Sequence, residues 1–446
     1  MMRRRTFLEL LGGGAAMLAF RRALLAAPSS THDDFFVFVH AAGGWDVTLW
    51  SDPRNERKGI VEPASTANSE VGPIRHWKSV PLDGRVKTFE VVTPPGSSLR
   101  LGPAIGDLFD LHDRITILNG IAMNTVSHDD GTVFSATGRH KSGGSVPAPS
   151  IDVMLASELG TTQLMPDVSV GFPSYFVGPA LDQRAIPLRV STVDTITKSL
   201  ERSQAFLDTA DRDAISAVLA EEGDALATRS GASDPIAQLV GQQREMPKLL
   251  QPEFVSAFTT RTLQKAYPQF KFGVRDGHAA QGAAFAVEAF RRNVARCVSY
   301  SVGGLDTHNT NYREHAKTLQ DLFDSIAALV KVLDETPHPT LSATRLSERT
   351  HIVVISEFCR TPMINLIGGR DHYPNNSALV ISPRFKRGRS FGATDAEQVL
   401  PTPFKTFADG SRAIAPPDVL ATVLGAFGID PRKYMRDGEI VRELLA

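Results

Sequence analysis

An aspartate and a histidine stand side by side in the stretch IGGRDHYPNN, which spans residues 367–376. Carboxylate and imidazole together suit divalent metals such as zinc, iron and manganese. Adjacent residues of a loop can bind the same ion, and Gly368 and Gly369 permit a tight backbone path just before them. Asp371 and His372 are therefore predicted to be metal ligands, with zinc as the expected ion.

Similar polar residues follow three other hydrophobic runs of the chain. Asp46 follows FFVFVHAAGGW, Ser127 and His128 follow RITILNG, and RCVSYSVGGL leads into Asp306 and His308. Residues two apart in an extended segment point to the same side, so Asp306 and His308 could reach one ion. Open α/β sheets bind ligands at the carboxyl ends of their strands, where these residues are expected to converge. The predicted metal ligands are Asp46, Asp306, His308, Asp371 and His372.

Each of these residues also has a structural interpretation. An aspartate after Gly-Gly, such as Asp46, is commonly a turn or helix N-cap residue, and a lone histidine in a loop is commonly a hydrogen-bonded structural residue. Glu357 and Arg360, at the end of THIVVISEFCR, are expected to form an ion pair that holds the loop. His315 is an alternative ligand, but a solvated position on a helix face is expected for it. The convergence of residues, rather than any one of them, favours a metal centre.

Short apolar runs bounded by turn residues predict the elements that position these side chains. FFVFVHAAGG, RITILNG, RCVSYSVGG, THIVVISEF and SALVISP are typical of buried parallel strands. The clearest helix is predicted from Tyr312 to Glu335, where apolar residues recur at three- and four-residue steps. Alternating strands and helices predict an α/β fold with a mostly parallel β-sheet covered by helices on both faces. A single domain is predicted over 33–446, with 149–278 as an insertion or helical cap within it.

The overall composition excludes several classes of protein. The 446 residues include 49 acidic and 48 basic side chains, so no global field favours nucleic acid or an anionic membrane as a partner. Cys297 and Cys359 are the only cysteines, which excludes a disulfide scaffold and a cysteine-based zinc site. Two semi-buried thiols beside strands are expected, and a single disulfide in an oxidising compartment is the alternative.

The N-terminal segment, residues 1–28, has the features of an export signal. Arg4 and Arg5 stand directly before Thr-Phe-Leu, and a short apolar run follows. The arrangement resembles a twin-arginine signal, which implies export of a folded protein by the twin-arginine machinery to the periplasm or the outside of the cell. The apolar run is too short for a permanent membrane span.

The motifs together resemble the bacterial domain of unknown function 1501 family, DUF1501, of the alkaline phosphatase-like superfamily. HAAGGWD resembles the first Gly-Gly-x-Asp segment of that family, and TVSHDDGTVFSATG resembles its Ser-His helix start. GGLDTH, and SEFCRTP followed by GGRDHYP, are similar to its most characteristic blocks. The resemblance also includes DVLATVLGAFGID near the C-terminus, so it covers most of the chain.

The resemblance implies a site for two metal ions. One ion would be bound by Asp46, Asp371 and His372, and the other by Asp306 and His308. A serine or threonine at the start of a helix would bridge the ions and attack phosphorus or sulfur.

Two departures from the family pattern concern the nucleophile and the last ligand. The nucleophile position falls on His128, with Ser127 one residue earlier, so these two are the predicted catalytic residues. No histidine follows His372, and relatives carry a histidine where this chain has Leu420. Either His128 or a water completes the second site, or only one ion binds.

The predicted function is that of an exported, metal-dependent hydrolase of phosphate or sulfate esters, with one or two ions per chain. Its substrate would be a small ester or a polymer. The alternative is an exported binding or structural protein that keeps the fold and at most one ion without catalysis. The convergence of ligands favours the hydrolase, whereas the ambiguous nucleophile and the missing histidine favour the alternative.

Overall fold

The structure is a computed structural model that describes residues 33–54, 75–76, 91–160, 162–178, 181–204, 251–272, 278–309 and 311–446, with single residues of a helical stretch between 210 and 228. The predicted export signal lies outside these ranges, as does most of the stretch AFLDTADRDAISAVLAEEGDALA. Within them, no helix has the length and apolar character needed to cross a membrane.

Twelve strands are present in the described part of the chain. They are β1 Phe35–Ala41, β2 Ile115–Ala122, β3 Asp167–Val170, β4 Leu188–Val190, β5 Cys297–Val302, β6 Thr350–Ile355, β7 Cys359–Arg360, β8 His372–Tyr373, β9 Asn375–Ile381, β10 Arg389–Phe391, β11 Lys405–Phe407 and β12 Gly410–Arg412. Eight of them form one central sheet in the order β10-β2-β9-β6-β1-β5-β3-β4. The pairs β7-β8 and β11-β12 form two small antiparallel sheets.

The central sheet is mostly parallel, as predicted, and all five predicted strands are confirmed as β1, β2, β5, β6 and β9. The direction of β9, in SALVISP, was predicted wrongly, because it runs antiparallel to both of its neighbours, β2 and β6. The chain passes from the end of β6 through β7 and β8 into β9 without a crossover helix. It therefore enters β9 at the edge where β6 ends and must run back across the sheet.

Strand β1 shows why the sheet is buried on both faces. All seven of its residues are buried, and successive side chains of a strand point to opposite faces. Phe35, Val37 and Val39 pack into one hydrophobic cluster, and Phe36 and Phe38 pack into the other. A parallel strand with a core on each side is expected to be apolar throughout, which explains the sequence FFVFVHA.

Helices cover both faces of the sheet, as predicted. They are α1 His128–Thr137, α2 Ile151–Leu159, α3 Val193–Gln204, α4 Pro252–Ala257, α5 Thr260–Ala266, α6 His278–Arg291, α7 Ala316–Glu335 and α8 Pro416–Ala426. The buried residues of α6 and α7 belong to the same cluster as Phe35, whereas those of α1, α2 and α8 belong to the cluster of Phe36. The predicted apolar stripe of α7 is buried, and a π-helical turn, Asn311–His315, precedes this helix.

The segment 149–278 contributes to the sheet. Its described residues include α2, which packs on the sheet, and the strands β3 and β4. β3 pairs with β5, and β4 pairs with β3. These two strands therefore form one edge of the sheet.

The two cysteines are unpaired. Cys297 begins β5 and Cys359 begins β7, and both are buried free thiols. Burial raises the pKa of each thiol well above its ordinary value, because the thiolate would lose its hydration. Both are more deeply buried than predicted.

Candidate functional site

Loops at the carboxyl edge of the sheet bring together three histidines and an aspartate. Asp306 and His308 follow β5, and His128 begins α1 in the segment after β2. His372 lies in β8, paired in register with Arg360 of β7. Because β1, β2, β5 and β6 run parallel, their carboxyl ends share one edge. We call His128, Asp306, His308 and His372 the histidine–aspartate cluster.

The potential ligand atoms of the cluster face one another. His372 Nε2 lies 3.1 Å from His128 Nε2 and 3.1 Å from His308 Nε2. Asp306 Oδ1 lies 3.5 Å, 3.1 Å and 3.4 Å from the Nε2 atoms of His128, His308 and His372. Of the four residues, His128, Asp306 and His372 each offer an atom within 4.8 Å of the others. Tetrahedral ligands of one zinc ion are separated by about 3.3 Å, so the spacing of these three residues fits such an ion. His308 adjoins them through its 3.1 Å contacts with Asp306 and His372.

The other ring nitrogen of each histidine has a hydrogen-bond acceptor. The acceptors are Glu357 Oε1 for His128 Nδ1 (2.6 Å), Asp371 Oδ1 for His308 Nδ1 (2.7 Å) and the Val126 carbonyl for His372 Nδ1 (2.8 Å). A neutral imidazole that donates from Nδ1 keeps a lone pair on Nε2. In that tautomer all three Nε2 lone pairs would face the cluster, an arrangement typical of metal-binding histidines. His308 Nε2 also lies 3.4 Å from Arg360 Nη1.

Glu357 is a deeply buried acid next to the histidine–aspartate cluster. Its Oε1 also accepts a hydrogen bond from the Gly43 backbone N–H at 2.8 Å, and Oε2 accepts one from Ser356 Oγ at 2.9 Å. His40 Nε2 lies 3.4 Å from Oε2. Burial opposes ionisation, but the hydrogen bond from His128 and the nearby ring of His40 outweigh it and hold the pKa of Glu357 well below its ordinary value.

The predicted ion pair between Glu357 and Arg360 is wrong. Arg360 instead holds the surrounding loops through hydrogen bonds to their backbone carbonyls. The guanidinium donates to the carbonyls of Gly43 and Gly44 at 3.1 Å and 2.9 Å, and to the carbonyl of Arg370 at 3.0 Å. It also contacts the carboxylate of Asp306. Partial burial raises the pKa of Asp306, but the hydrogen bond from Arg360 outweighs it and lowers this pKa overall.

Asp46 lies in a separate, fully buried network. Its Oδ1 accepts hydrogen bonds from the Thr48 N–H at 3.0 Å and the Thr48 hydroxyl at 2.6 Å, which makes it the N-cap of the 3-10 helix Val47–Leu49. Its Oδ2 accepts a bond from Asn311 Nδ2 at 2.8 Å and lies 3.2 Å from Arg370 Nε. The structure therefore does not bring Asp46 into the histidine–aspartate cluster.

His315 is also part of the buried network and not of the cluster. Its Nε2 accepts a hydrogen bond from the Asp46 backbone N–H at 2.7 Å, and its Nδ1 lies 2.8 Å from the Thr307 hydroxyl. Burial lowers the pKa of His315 to about 3, so the ring is neutral. The expectation of a solvated residue on a helix face was wrong, because the π-helical turn directs this ring beneath the Asp46 loop.

The family of the chain follows from a family model described as protein of unknown function (DUF1501), which matches residues 36–439. The chain belongs to the DUF1501 family. No curated protein matches the sequence.

Solved structures similar to this DUF1501 chain are distant. The crystal structure of Ps i-CgsB in complex with k-i-k-neocarrahexaose is 10% identical over 90% of this chain and 73% of that one, with a TM-score of 0.37. The structure of BT4656 in complex with its substrate D-glucosamine-2-N,6-O-disulfate is 10% identical over 89% of this chain and 77% of that one, with a TM-score of 0.35. These TM-scores are too low to indicate the activity of this chain.

The two residues predicted to be catalytic have different surroundings in this DUF1501 protein. His128 is part of the cluster. Ser127 is exposed at the N-cap of α1, and its side chain makes no capping hydrogen bond. Its backbone N–H donates to the Thr125 hydroxyl at 3.3 Å. A free hydroxyl therefore lies one residue before a cluster histidine.

Sequence reasoning missed the roles of Glu357 and His40, because both depend on tertiary contacts. The signal that could have indicated Glu357 is its position just after the apolar run IVVI at the carboxyl end of β6. The sequence predicts a tight backbone path at Gly368 and Gly369, and the structure shows that the backbone at Gly369 lies against that of His308. A Cβ on Gly369 would lie 1.8 Å from the backbone carbonyl carbon of His308, so only glycine fits.

Proposed function

We propose that this protein is a metal-dependent hydrolase of phosphate or sulfate esters. The observation that supports it is the contact of three Nε2 atoms with Asp306 Oδ1 at 3.1–3.5 Å, with every Nδ1 hydrogen-bonded elsewhere. Three imidazoles and one carboxylate suit zinc. His128, Asp306, His308 and His372 would hold the ion, while Asp371 would orient His308 through the 2.7 Å contact to Nδ1.

We infer one ion per chain rather than two. Of the predicted pair, the ion expected at Asp46, Asp371 and His372 would need Asp46 as a ligand. The carboxylate of Asp46 already accepts three hydrogen bonds and faces Arg370, whose positive charge is fully buried beside it. A cation at this position would have to displace a guanidinium from a dry interior, which is unfavourable.

The residues around the cluster suit an anionic ester. A divalent ion held there would supply Lewis-acid polarisation of an ester oxygen. Arg360 offsets the negative charge of Asp306, which lowers the repulsion of a substrate group that carries negative charge. The exposed hydroxyl of Ser127 is the candidate nucleophile, since it precedes His128 directly and makes no capping bond.

Metal content and turnover test the proposal together. The purified mature protein should contain about one zinc per chain and hydrolyse 4-nitrophenyl phosphate or 4-nitrophenyl sulfate. His372→Ala should lose both the metal and the turnover. His112→Ala is the matched control, because His112 precedes β2 at the opposite edge of the sheet and contacts the Phe109 carbonyl. Absence of metal from protein refolded with zinc would disprove the metal centre, and metal without turnover would favour a binding protein.

We also propose that the protein is exported in folded form by the twin-arginine machinery and acts in the periplasm or outside the cell. The support is the sequence of residues 1–28, with Arg4 and Arg5 before an apolar run. Replacing both arginines by lysine should leave the full-length protein in the cytoplasm. Cell fractionation followed by mass spectrometry of the N-terminus measures both the location and the processing. Unchanged export of the double variant would contradict this route.

A further inference from the structure

We propose that Glu357 is a positioning residue for the metal centre. It orients the His128 ring so that His128 can be a ligand of the ion. The proposal rests on the proposed function, because it concerns the same cluster. Glu357 touches no other member of the cluster, so it would act through the His128 ring alone. Its role would be to hold the hydrogen on Nδ1 and thereby leave the Nε2 lone pair for the ion.

Glu357 is fixed by donors from several elements. It follows the end of β6, and its carboxylate accepts hydrogen bonds from the Gly43 N–H after β1 and from the Ser356 hydroxyl. His40, on β1 itself, approaches the second oxygen at 3.4 Å and is buried. With these contacts made, the remaining strong contact of Oε1 is His128 Nδ1 at 2.6 Å. Because the Glu357 carboxylate is held in this way, its Oε1 is fixed as the hydrogen-bond acceptor for His128 Nδ1.

The packing of α1 on the end of β6 brings His128 within reach. Gly131 lies one turn after His128, and a Cβ at this position would be 2.5 Å from the carbonyl oxygen of Glu357. The absence of a side chain at Gly131 therefore lets the first turn of α1 lie directly against Glu357. The same approach places the His128 ring between Glu357 on one side and His372 on the other.

Asp371 makes the matched contact with His308, but in a different environment. Its carboxylate lies 2.7 Å from His308 Nδ1 and is 56% exposed, whereas that of Glu357 is 2% exposed. Water screens an exposed pair and can replace the lost partner, whereas a buried partner is not replaced. Removing the charge of Glu357 should therefore weaken the centre more than removing that of Asp371.

Zinc and cobalt affinities of the full-length mature protein test the proposal. Glu357→Gln should weaken binding by about 10- to 100-fold and alter the visible absorption spectrum of the Co²⁺ form, and Asp371→Asn should have a smaller effect. Glu397→Gln, an exposed acid outside the site, should change neither. In a His128→Ala background, Glu357→Gln should cause little further loss of affinity, because the two residues act as one unit.

A measurement without a variant covers the case in which Glu357→Gln does not fold. Nitrogen-15 NMR of the metal-free wild type at pH 8 should find the His128 hydrogen on Nδ1. A hydrogen on Nε2, or a Glu357→Gln protein that binds metal as tightly as the wild type with the same cobalt spectrum, would overturn the proposal. Both results leave the metal centre itself intact, whereas a wild-type protein that binds no metal contradicts the proposed function.

Discussion

At the scale of single residues, Asp46 and Arg370 form a buried ion pair beneath the site. Both side chains are fully buried, with Arg370 Nε 3.2 Å from Asp46 Oδ2. Arg370 also donates to the carbonyls of Thr361 and Pro362 at 2.9 Å and 2.6 Å, so it ties the β7–β8 loop to the Asp46 turn. A single guanidinium thus links two of the predicted ligand loops without reaching the cluster.

Arg370→Gln should destabilise the protein by about 3–5 kcal/mol, because it leaves the Asp46 carboxylate buried without its counter-charge. Urea unfolding measures the loss. Arg261→Gln, at an exposed position, should remain within about 0.5 kcal/mol of the wild type. Combining Arg370→Gln with Asp46→Asn should recover part of the stability, and additive losses would contradict a direct pairing.

A second buried acid, Asp167 at the start of β3, should limit stability at neutral pH. Neither of its carboxylate oxygens has a hydrogen-bond partner. Burial, with a contribution from Asp152, raises the pKa of Asp167 well above its ordinary value. Ionising it in the folded state therefore costs free energy, about 1.4 kcal/mol for each factor of ten by which burial disfavours the charged form.

Asp167→Asn should raise the melting temperature at pH 7 to 8. The gain should shrink as the pH falls towards 4, because the wild-type carboxyl then becomes protonated in the unfolded state as well as in the folded state. Asp152→Asn is the contrast, since that carboxylate accepts hydrogen bonds from Ser299 and Ser174, and its loss should destabilise. Melting curves from pH 4 to 8 measure both variants, and a gain at Asp167 that is independent of pH would contradict the assignment.

At the scale of elements, the sequence predicted the positions of five strands, β1, β2, β5, β6 and β9, but not the direction of β9 and not the edge strands β3 and β4. The apolar run of β9 is buried on both faces, and a run of this kind has the same pattern in either direction. The convergence of His128, Asp306, His308 and His372 followed from the rule that parallel strands end at one edge. The N-cap role offered as the structural alternative for Asp46 is what the structure shows. The contacts of Asp46 with Asn311 and of Glu357 with Gly43 could not be predicted, because they join segments 265 and 314 residues apart.

The β7–β8 loop depends on the absence of a side chain at Gly369. A Cβ there would collide with the backbone of His308, so Gly369→Ala should push this loop away from the segment after β5. We expect a loss of about 1–3 kcal/mol in stability together with weaker metal binding, since Asp371 and His308 would separate.

Gly303→Ala is the matched control for the loop. It lies just after β5 at the same edge, and a Cβ at this position meets nothing within 4 Å. Its stability and metal affinity should stay close to those of the wild type. Chemical denaturation and zinc titration of both variants make the comparison. Equal effects of the two substitutions would mean that the close approach at Gly369 is not what holds the loop.

At the scale of the whole molecule, the cluster joins segments that are far apart in the chain. His128 comes from α1, Asp306 and His308 follow β5, and His372 belongs to the β7–β8 pair. Unfolding would separate all of them, so the unfolded chain cannot offer the same set of ligands. An ion bound here would therefore stabilise the whole fold, since a ligand that binds only the native state adds about 2.7 kcal/mol at one hundred times its dissociation constant.

Chelation should accordingly lower the melting temperature of the wild type, and added zinc should restore it. The melting temperature of His372→Ala should be insensitive to both treatments, because the contacts to His128 and His308 pass through this ring. His112→Ala should respond as the wild type does. Differential scanning calorimetry at fixed protein concentration measures all three. A wild-type melting temperature unchanged by chelator would mean that the histidines and Asp306 are held by their hydrogen bonds alone, because a dissociable native-state ligand must shift the transition.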